Sequence, residues 1–250
     1  MNSALLISTA VLALAVGSFI NVLIYRLPLR LGLVWPNSQC PECHTAILWR
    51  DNIPLLGWLH RRGRCRACHG WISLRYPIVE AASAMAAVIV VLEFGFGPAG
   101  LSALVLSAWL LLLAGIDQDT RFLPDCLTIS GLWVGLLLST LYLHTSPTEA
   151  ITGAAGGYLL LATLNAGYRG LRGRDGMGGG DFKLLAMLGA WLGLSALPMI
   201  LLIAAVAGSL WALAALVRGQ ININDALPFG PWLAMAGWIT LVWGHDWSIF

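Results

Sequence analysis

The sequence predicts an all-α polytopic membrane protein of about eight transmembrane helices, with a small cysteine-bearing domain in one of its loops. Two observations predict the class. Hydrophobic residues make up 58% of the 250 and charged residues only 10%, and mean hydropathy is +0.79, far above that of a water-soluble globule. Charge-free stretches run over 2–25, 94–116, 126–148, 150–168, 184–217 and 226–244, each near or above the roughly 20 residues that a helix needs to cross hydrocarbon.

Taken in order, 2–25 is the first span; it has no basic segment before it and no small-residue cleavage site, so it reads as a retained helix. Residues 77–94 form a second, with Glu80 and Glu93 near its two ends. The run 94–116 is the third, 126–144 the fourth and about 148–168 the fifth. The stretch 184–217 is too long for one ordinary span, and "GLSALP" at 193–198 supplies a break at which Pro198 opens a new helix. Residues 226–244 make the eighth. The chain thus divides into a first transmembrane helix (1–25), a loop domain (26–76) and a transmembrane domain (77–250).

All 14 Lys and Arg residues fall in four loops: eight from Arg26 to Arg75, then Arg121, then Arg169, Arg172, Arg174 and Lys183, and finally Arg218. With eight spans these loops share one side, and the excess of positive charge makes that side cytoplasmic. A net charge of +2 gives no sign of a nucleic-acid partner. Tryptophans such as Trp35, Trp49, Trp58, Trp71 and Trp243 lie near predicted interfaces, where indoles anchor in lipid headgroups.

Two spans separate "AGIDQDTRFLPD" (114–125) from "GMGGGDFK" (176–183), so the acids at the end of the third span and Asp181 at the start of the sixth return to the same boundary. An ionisable group at membrane depth is costly and marks a bundle interior or a wet cavity. As a plain N-cap, Asp181 would not need Gly176, Gly178, Gly179 and Gly180 before it; these leave room for an approaching chain and permit positive φ. The segment lacks the Lys-Ser/Thr of a phosphate loop. Two carboxylates held close share a proton, which is the chemistry of an aspartic protease, with one acid as general base on water and the other polarising the carbonyl. Paired intramembrane acids also build proton relays, so a proton-coupled transporter is the alternative from these residues. Position alone leaves Asp117 and Asp119 both open as the first acid.

Four of the five cysteines read "CPEC" (40–43) and "CRAC" (65–68), the double C-x2-C of a tetrahedral zinc site with Cys40, Cys43, Cys65 and Cys68 as ligands. The loop domain is therefore expected to bind zinc, in the reducing cytoplasm where disulfides are not expected. Both pairs are followed by His, so c-type haem attachment and electron transfer form a second alternative, opposed by the basic, cytoplasmic character of this loop.

Seven segments in order, "GSFINVLIYRLP" (17–28), "WPNSQCPEC" (35–43), "DNIPLLGWLHRRGRCRAC" (51–68), "ISLRYPIVE" (72–80), "GIDQDTRFLPD" (115–125), "GMGGGDFKLLAMLGAWLG" (176–193) and "LPFGPWLA" (227–234), resemble the type IV prepilin peptidases of the bacterial inner membrane. The resemblance implies a GxGD-type intramembrane aspartic endopeptidase that removes a basic leader after glycine from type IV prepilins or type II secretion pseudopilins. It places the catalytic acids on Asp117 and Asp181, and gives the substrate or active-site loop Gly176, Gly178, Gly179, Gly180 and Lys183. In many relatives the same protein N-methylates the new N-terminus with S-adenosylmethionine. Here only "LRLGLVW" separates "RLP" from "PNSQCPEC", where many relatives carry an insertion, and His44 and His69 stand where zinc knuckles often have glycine. The expected partners are prepilins or pseudopilins and membrane lipid. A flexible loop over 169–180 is expected to close over the scissile bond, and Asp125 to cap the fourth span.

Overall fold

A computed structural model describes residues 2–35, 37–222 and 227–244; Pro36 of the "WPNSQCPEC" segment and Ala226 at the start of the last apolar stretch lie outside the described residues. The described residues are helical apart from turns and two isolated β-bridges, as composition predicts. Among the described residues nine α-helices follow in order: α1 Ser3–Arg26, α2 Leu56–His60, α3 Arg75–Phe94, α4 Pro98–Thr120, α5 Asp125–Ser139, α6 Pro147–Arg172, α7 Gly179–Leu192, α8 Leu197–Val217 and α9 Gly230–Trp243. The chain divides into two compact units, Met1–Gly115 and Ile116–Phe250.

Among the described residues four segments are long and apolar enough to cross a bilayer: Ser3–Arg26, Arg75–Phe94, Pro98–Thr120 and Leu194–Val217. The other four expected spans correspond to α5, α6, α7 and α9. Of these, α7 and α9 have 14 residues each, about 21 Å of helix, well short of the hydrocarbon thickness. The long apolar stretch 184–217 is broken where the sequence suggests. Gly193 ends α7 with φ +87°, a single 3-10 turn spans Leu194–Ala196, and Pro198 sits in the first turn of α8. A β-carbon on Gly193 would lie 2.8 Å from Thr145 Oγ1, so this turn needs glycine for both conformation and space.

In the first unit α1 packs along α3. Gly17 makes the close approach possible, since a β-carbon there would lie 2.8 Å from Glu80 Cα. Polar side chains add hydrogen bonds between the two: Ser83 Oγ donates to the Ala13 carbonyl at 2.8 Å and Asn21 Nδ2 to the Tyr76 carbonyl at 3.1 Å. Small residues and interhelical hydrogen bonds are what join helices in lipid, where apolar side chains gain little by leaving the solvent.

In the second unit α7 is the centre. Asp181, Phe182 and every residue from Leu184 to Trp191 are buried, under α5, α6 and α9. Each neighbour receives it through glycine. Gly153 of α6 and Gly189 of α7 meet backbone to backbone, and a β-carbon on Gly157 would lie 2.7 Å from the Leu185 carbonyl oxygen. On α5, Gly131 and Gly135 accept Met187 and Trp191, while Gly237 of α9 accepts Leu188. These notches explain why a helix this short is tolerated: its apolar surface is covered by protein, so its length need not match the bilayer. The start of α6 is fixed locally, with Ser146 Oγ accepting the Glu149 amide at 3.3 Å and Pro147 in the first turn.

Candidate active site and metal centre

Asp117 lies in the last turn of α4 and Asp181 in the first turn of α7. Both are buried, at 5% and 7% exposure, whereas Asp119 is exposed. That difference separates two acids that sequence position left equivalent: two residues on, the helix has turned Asp119 outward. Asp117 is close enough for its carboxylate to act electrostatically on Asp181. The structure therefore brings these two predicted residues together.

Asp181 is not the N-cap of α7. That position belongs to Gly178, and Asp181 is the third helical residue, its amide donating to the Gly178 carbonyl at 3.1 Å. Of the four glycines before it, Gly176 and Gly180 act through space. None of Gly176, Gly178, Gly179 and Gly180 has positive φ, which corrects that part of the expectation; the left-handed residue is Gly173, the C-cap of α6. A β-carbon on Gly180 would lie 2.9 Å from Leu123 Cβ, and one on Gly176 would lie 2.9 Å from the Tyr168 ring.

The loop before α7 is shorter and more firmly held than expected, because α6 continues to Arg172. Asn165, about two turns back from the end of α6, is its latch. Its Oδ1 accepts the amides of Gly176 and Met177 at 2.8 and 3.1 Å, and its Nδ2 donates to Asp175 at 3.1 Å. Sequence reasoning missed Asn165; a lone amide in an apolar helix was the available signal. Lys183 points elsewhere, donating from Nζ to Asp125 Oδ1 at 2.6 Å. Asp125 is the first residue of α5, with Pro124 in the N-cap position expected for it.

Gly230, within the segment "LPFGPWLA", is the other residue whose place the sequence does not reveal. It begins α9, and its amide donates to Asp117 Oδ2 at 3.1 Å in a buried setting.

In the loop domain the four predicted ligands converge. The sulfurs of Cys40, Cys43, Cys65 and Cys68 all lie within 4.8 Å of one another, with 3.8 Å between Cys40 and Cys68 and 3.9 Å between Cys43 and Cys65. A tetrahedral zinc ion with Zn–S of about 2.3 Å requires sulfur separations of about 3.8 Å, so the donor set fits such an ion. Disulfide bonding would require about 2.05 Å. Each C-x-x-C-H turn repeats the other: Gln39 bridges Ala46 as Arg64 bridges Trp71, and His44 and His69 both take positive φ, 54° and 58°, where knuckles favour glycine. The two histidines thus shape turns and stand outside the ligand cluster.

The thiols are electrostatically uneven. The Thr45 side chain, followed by its backbone, holds Cys43 down to about 6. At Cys68 the Gly70 backbone lowers the value, but burial and hydrogen bonding to Cys43 and Cys65 outweigh it and push the thiol up to about 12. Four thiolates need a cation to coexist at this spacing. Convergence of both pairs on one point leaves no room for two separate haem groups.

A family model described as the bacterial peptidase A24 N-terminal domain matches residues 11–94, and one described as the type IV leader peptidase family matches residues 104–213. The chain is 41% identical to a prepilin leader peptidase/N-methyltransferase of Aeromonas salmonicida, over 94% of this chain and 89% of the relative. This chain belongs to the type IV leader peptidase family. Further members of that family at similar distance are the prepilin leader peptidase/N-methyltransferases of Pseudomonas putida, 40% identical over 94% of this chain and 90% of the relative, and of Dickeya chrysanthemi, 40% identical over 96% and 95%. No solved structure matches the chain significantly. As a leader peptidase, the chain carries its two close buried aspartates at the ends of α4 and α7, both inside the matched region.

Proposed function

We propose that this chain is an intramembrane aspartic endopeptidase that removes the basic leader from type IV prepilins or type II secretion pseudopilins, cutting after glycine. The observation that carries the proposal is the pair of buried carboxylates, Asp117 and Asp181, within electrostatic reach of each other in a member of the type IV leader peptidase family. One ionised aspartate takes a proton from water as the water oxygen bonds to the scissile carbonyl carbon. The protonated aspartate donates to the carbonyl oxygen. Collapse of the tetrahedral species breaks the C–N bond, the proton held by the first acid goes to the leaving amine, and the second acid takes back its proton from the hydroxyl that becomes the new carbonyl. The pair titrates as a unit, so its protons belong to both.

In this reading the eight helices α1 and α3 to α9 all cross the bacterial inner membrane, with 1–25 as first span, 26–76 as cytoplasmic zinc domain and 77–250 as the membrane domain. The basic loops face the cytoplasm, as the charge distribution supports. A prepilin's apolar segment lies among the helices while its leader stays in the cytoplasm, which brings the scissile bond to the boundary where the aspartates sit. The glycines Gly176, Gly178, Gly179 and Gly180 keep side chains away from that approach, and Lys183 braces α7 through Asp125. Structural zinc on Cys40, Cys43, Cys65 and Cys68 folds the loop domain. The chain then N-methylates the new N-terminus, with S-adenosylmethionine supplying the methyl group; no step of the cleavage uses that donor.

The test is mass spectrometry of a prepilin incubated with the purified chain in lipid. Loss of the leader after glycine, with a mass increase of one methyl at the new N-terminus when S-adenosylmethionine is added, is expected. An uncut prepilin with a folded, metal-loaded chain would overturn the proposal.

A further inference from the structure

We propose that Gly230 is a positioning residue for the peptidase reaction: the N-terminus of α9 holds Asp117 in its working orientation, and only glycine fits there. The inference rests on the catalytic role proposed above for Asp117 and adds the element that sets its geometry.

The first turn of a helix leaves amides without intrahelical partners, and those from Gly230 to Leu233 can be traced here. Pro231 has no N–H. The amides of Trp232 and Leu233 both donate to the Phe229 carbonyl, each at 3.1 Å. Phe229 in the N-cap position supplies no side-chain hydrogen bond. The remaining donor, Gly230 N–H, goes to Asp117 Oδ2 at 3.1 Å, across 113 residues of sequence. Asp117 is thus the cap that α9 lacks locally, and its Oδ2 faces the positive end of the α9 dipole.

Space decides the residue type. A β-carbon on Gly230 would lie 2.6 Å from Asp117 Oδ2, 2.9 Å from Cγ and 3.2 Å from Cβ. Gly230 does not have positive φ, so backbone conformation does not demand glycine. The requirement is the carboxylate itself. With Oδ2 engaged, Oδ1 has no hydrogen-bond partner among the described residues and is the oxygen available to water.

The brace also refers Asp117 to Asp181. Gly237 of α9 admits Leu188 of α7, so the helix that orients one acid is seated against the helix that carries the other. Displacing the first turn of α9 would turn Asp117 away from Asp181 without touching substrate.

Two measurements test this. Gly230→Ala, assayed on a prepilin in lipid, is expected to lower kcat about 100-fold with KM changed less than about threefold, as for a misplaced catalytic group. Hydrogen exchange of the Gly230 amide, compared between the full chain and Asp117→Ala, is expected to quicken about tenfold or more in the variant, because the amide loses its acceptor. A folded Gly230→Ala protein with unaltered kcat would overturn the proposal, as would equal exchange in the two proteins. Exchange decides the matter even if Gly230→Ala does not fold. Retained cleavage by Asp117→Asn would instead remove the catalytic assignment and leave the Asp117–Gly230 contact to be read by exchange.

Discussion

The indole N–H of Trp191 donates to the carbonyl of Gly131 at 2.8 Å, joining α7 to α5 in a buried position. The bond forms because Gly131 and Gly135 open one face of α5 to the side chains of Met187 and Trp191. Trp191→Phe removes this bond while the Gly131 carbonyl keeps its place in the α5 ladder, and is expected to destabilise the protein by about 0.5–1.5 kcal/mol. Gly189→Ala is expected to cost more, because its new methyl meets the backbone of Gly153, which cannot rotate aside. Thermal unfolding in detergent, followed by the recovery of folded protein, ranks the two.

For the aspartates, Asp117→Asn and Asp181→Asn keep side-chain size and remove the ability to exchange a proton. Each is expected to reduce prepilin cleavage by at least about 100-fold, while Asp119→Asn, on the exposed side of the helix, changes it less than about threefold. Initial rates with equal amounts of folded enzyme check this. Wild-type rates in both buried variants would end the aspartic mechanism.

Lys183 and Asp125 make an ion pair at 2.6 Å with both side chains partly open to solvent. Exposed pairs of this kind are worth about 0–1 kcal/mol. Lys183→Met is therefore expected to shift stability by no more than that and to leave kcat within about threefold. A loss of about 100-fold or more would mean that the lysine touches substrate.

Asn165 joins the Gly176 and Met177 amides and Asp175 to α6. Asn165→Leu breaks all three bonds while keeping a similar volume. Faster hydrogen exchange over 173–178 and lower kcat are the expected results, with thermal stability changed by no more than about 3 kcal/mol. Exchange unchanged over that loop would show that it is held by something else.

Metal analysis of the purified chain is expected to find about one zinc ion. Cys40→Ser or Cys65→Ser, or a strong chelator, should release it and raise protease sensitivity across 37–72. Uptake also depends on acidity. Thr45 lowers the Cys43 thiol to about 6, so its thiolate persists above that value and is lost as pH falls through it. Metal binding to the stripped protein should weaken in that direction.

By itself the sequence determined the helical membrane class, the break near Gly193, the cysteine quartet and the short list of acids. These are legible because they follow from local quantities: hydropathy over a span's length, the spacing within a C-x-x-C turn, and the cost of a charge in hydrocarbon. The resemblance already chose Asp117 over Asp119, and the structure adds that Asp117 turns inward and Asp119 outward; tertiary structure alone decided that Asn165 holds the loop before Asp181 and that Gly230 caps its helix on Asp117. Those depend on where backbones come close, and the glycines of α5, α6, α7 and α9 that permit it carry no periodic hydropathy signal. A missing side chain matters only through the neighbour that fills its space, and that neighbour is known only once the helices are packed.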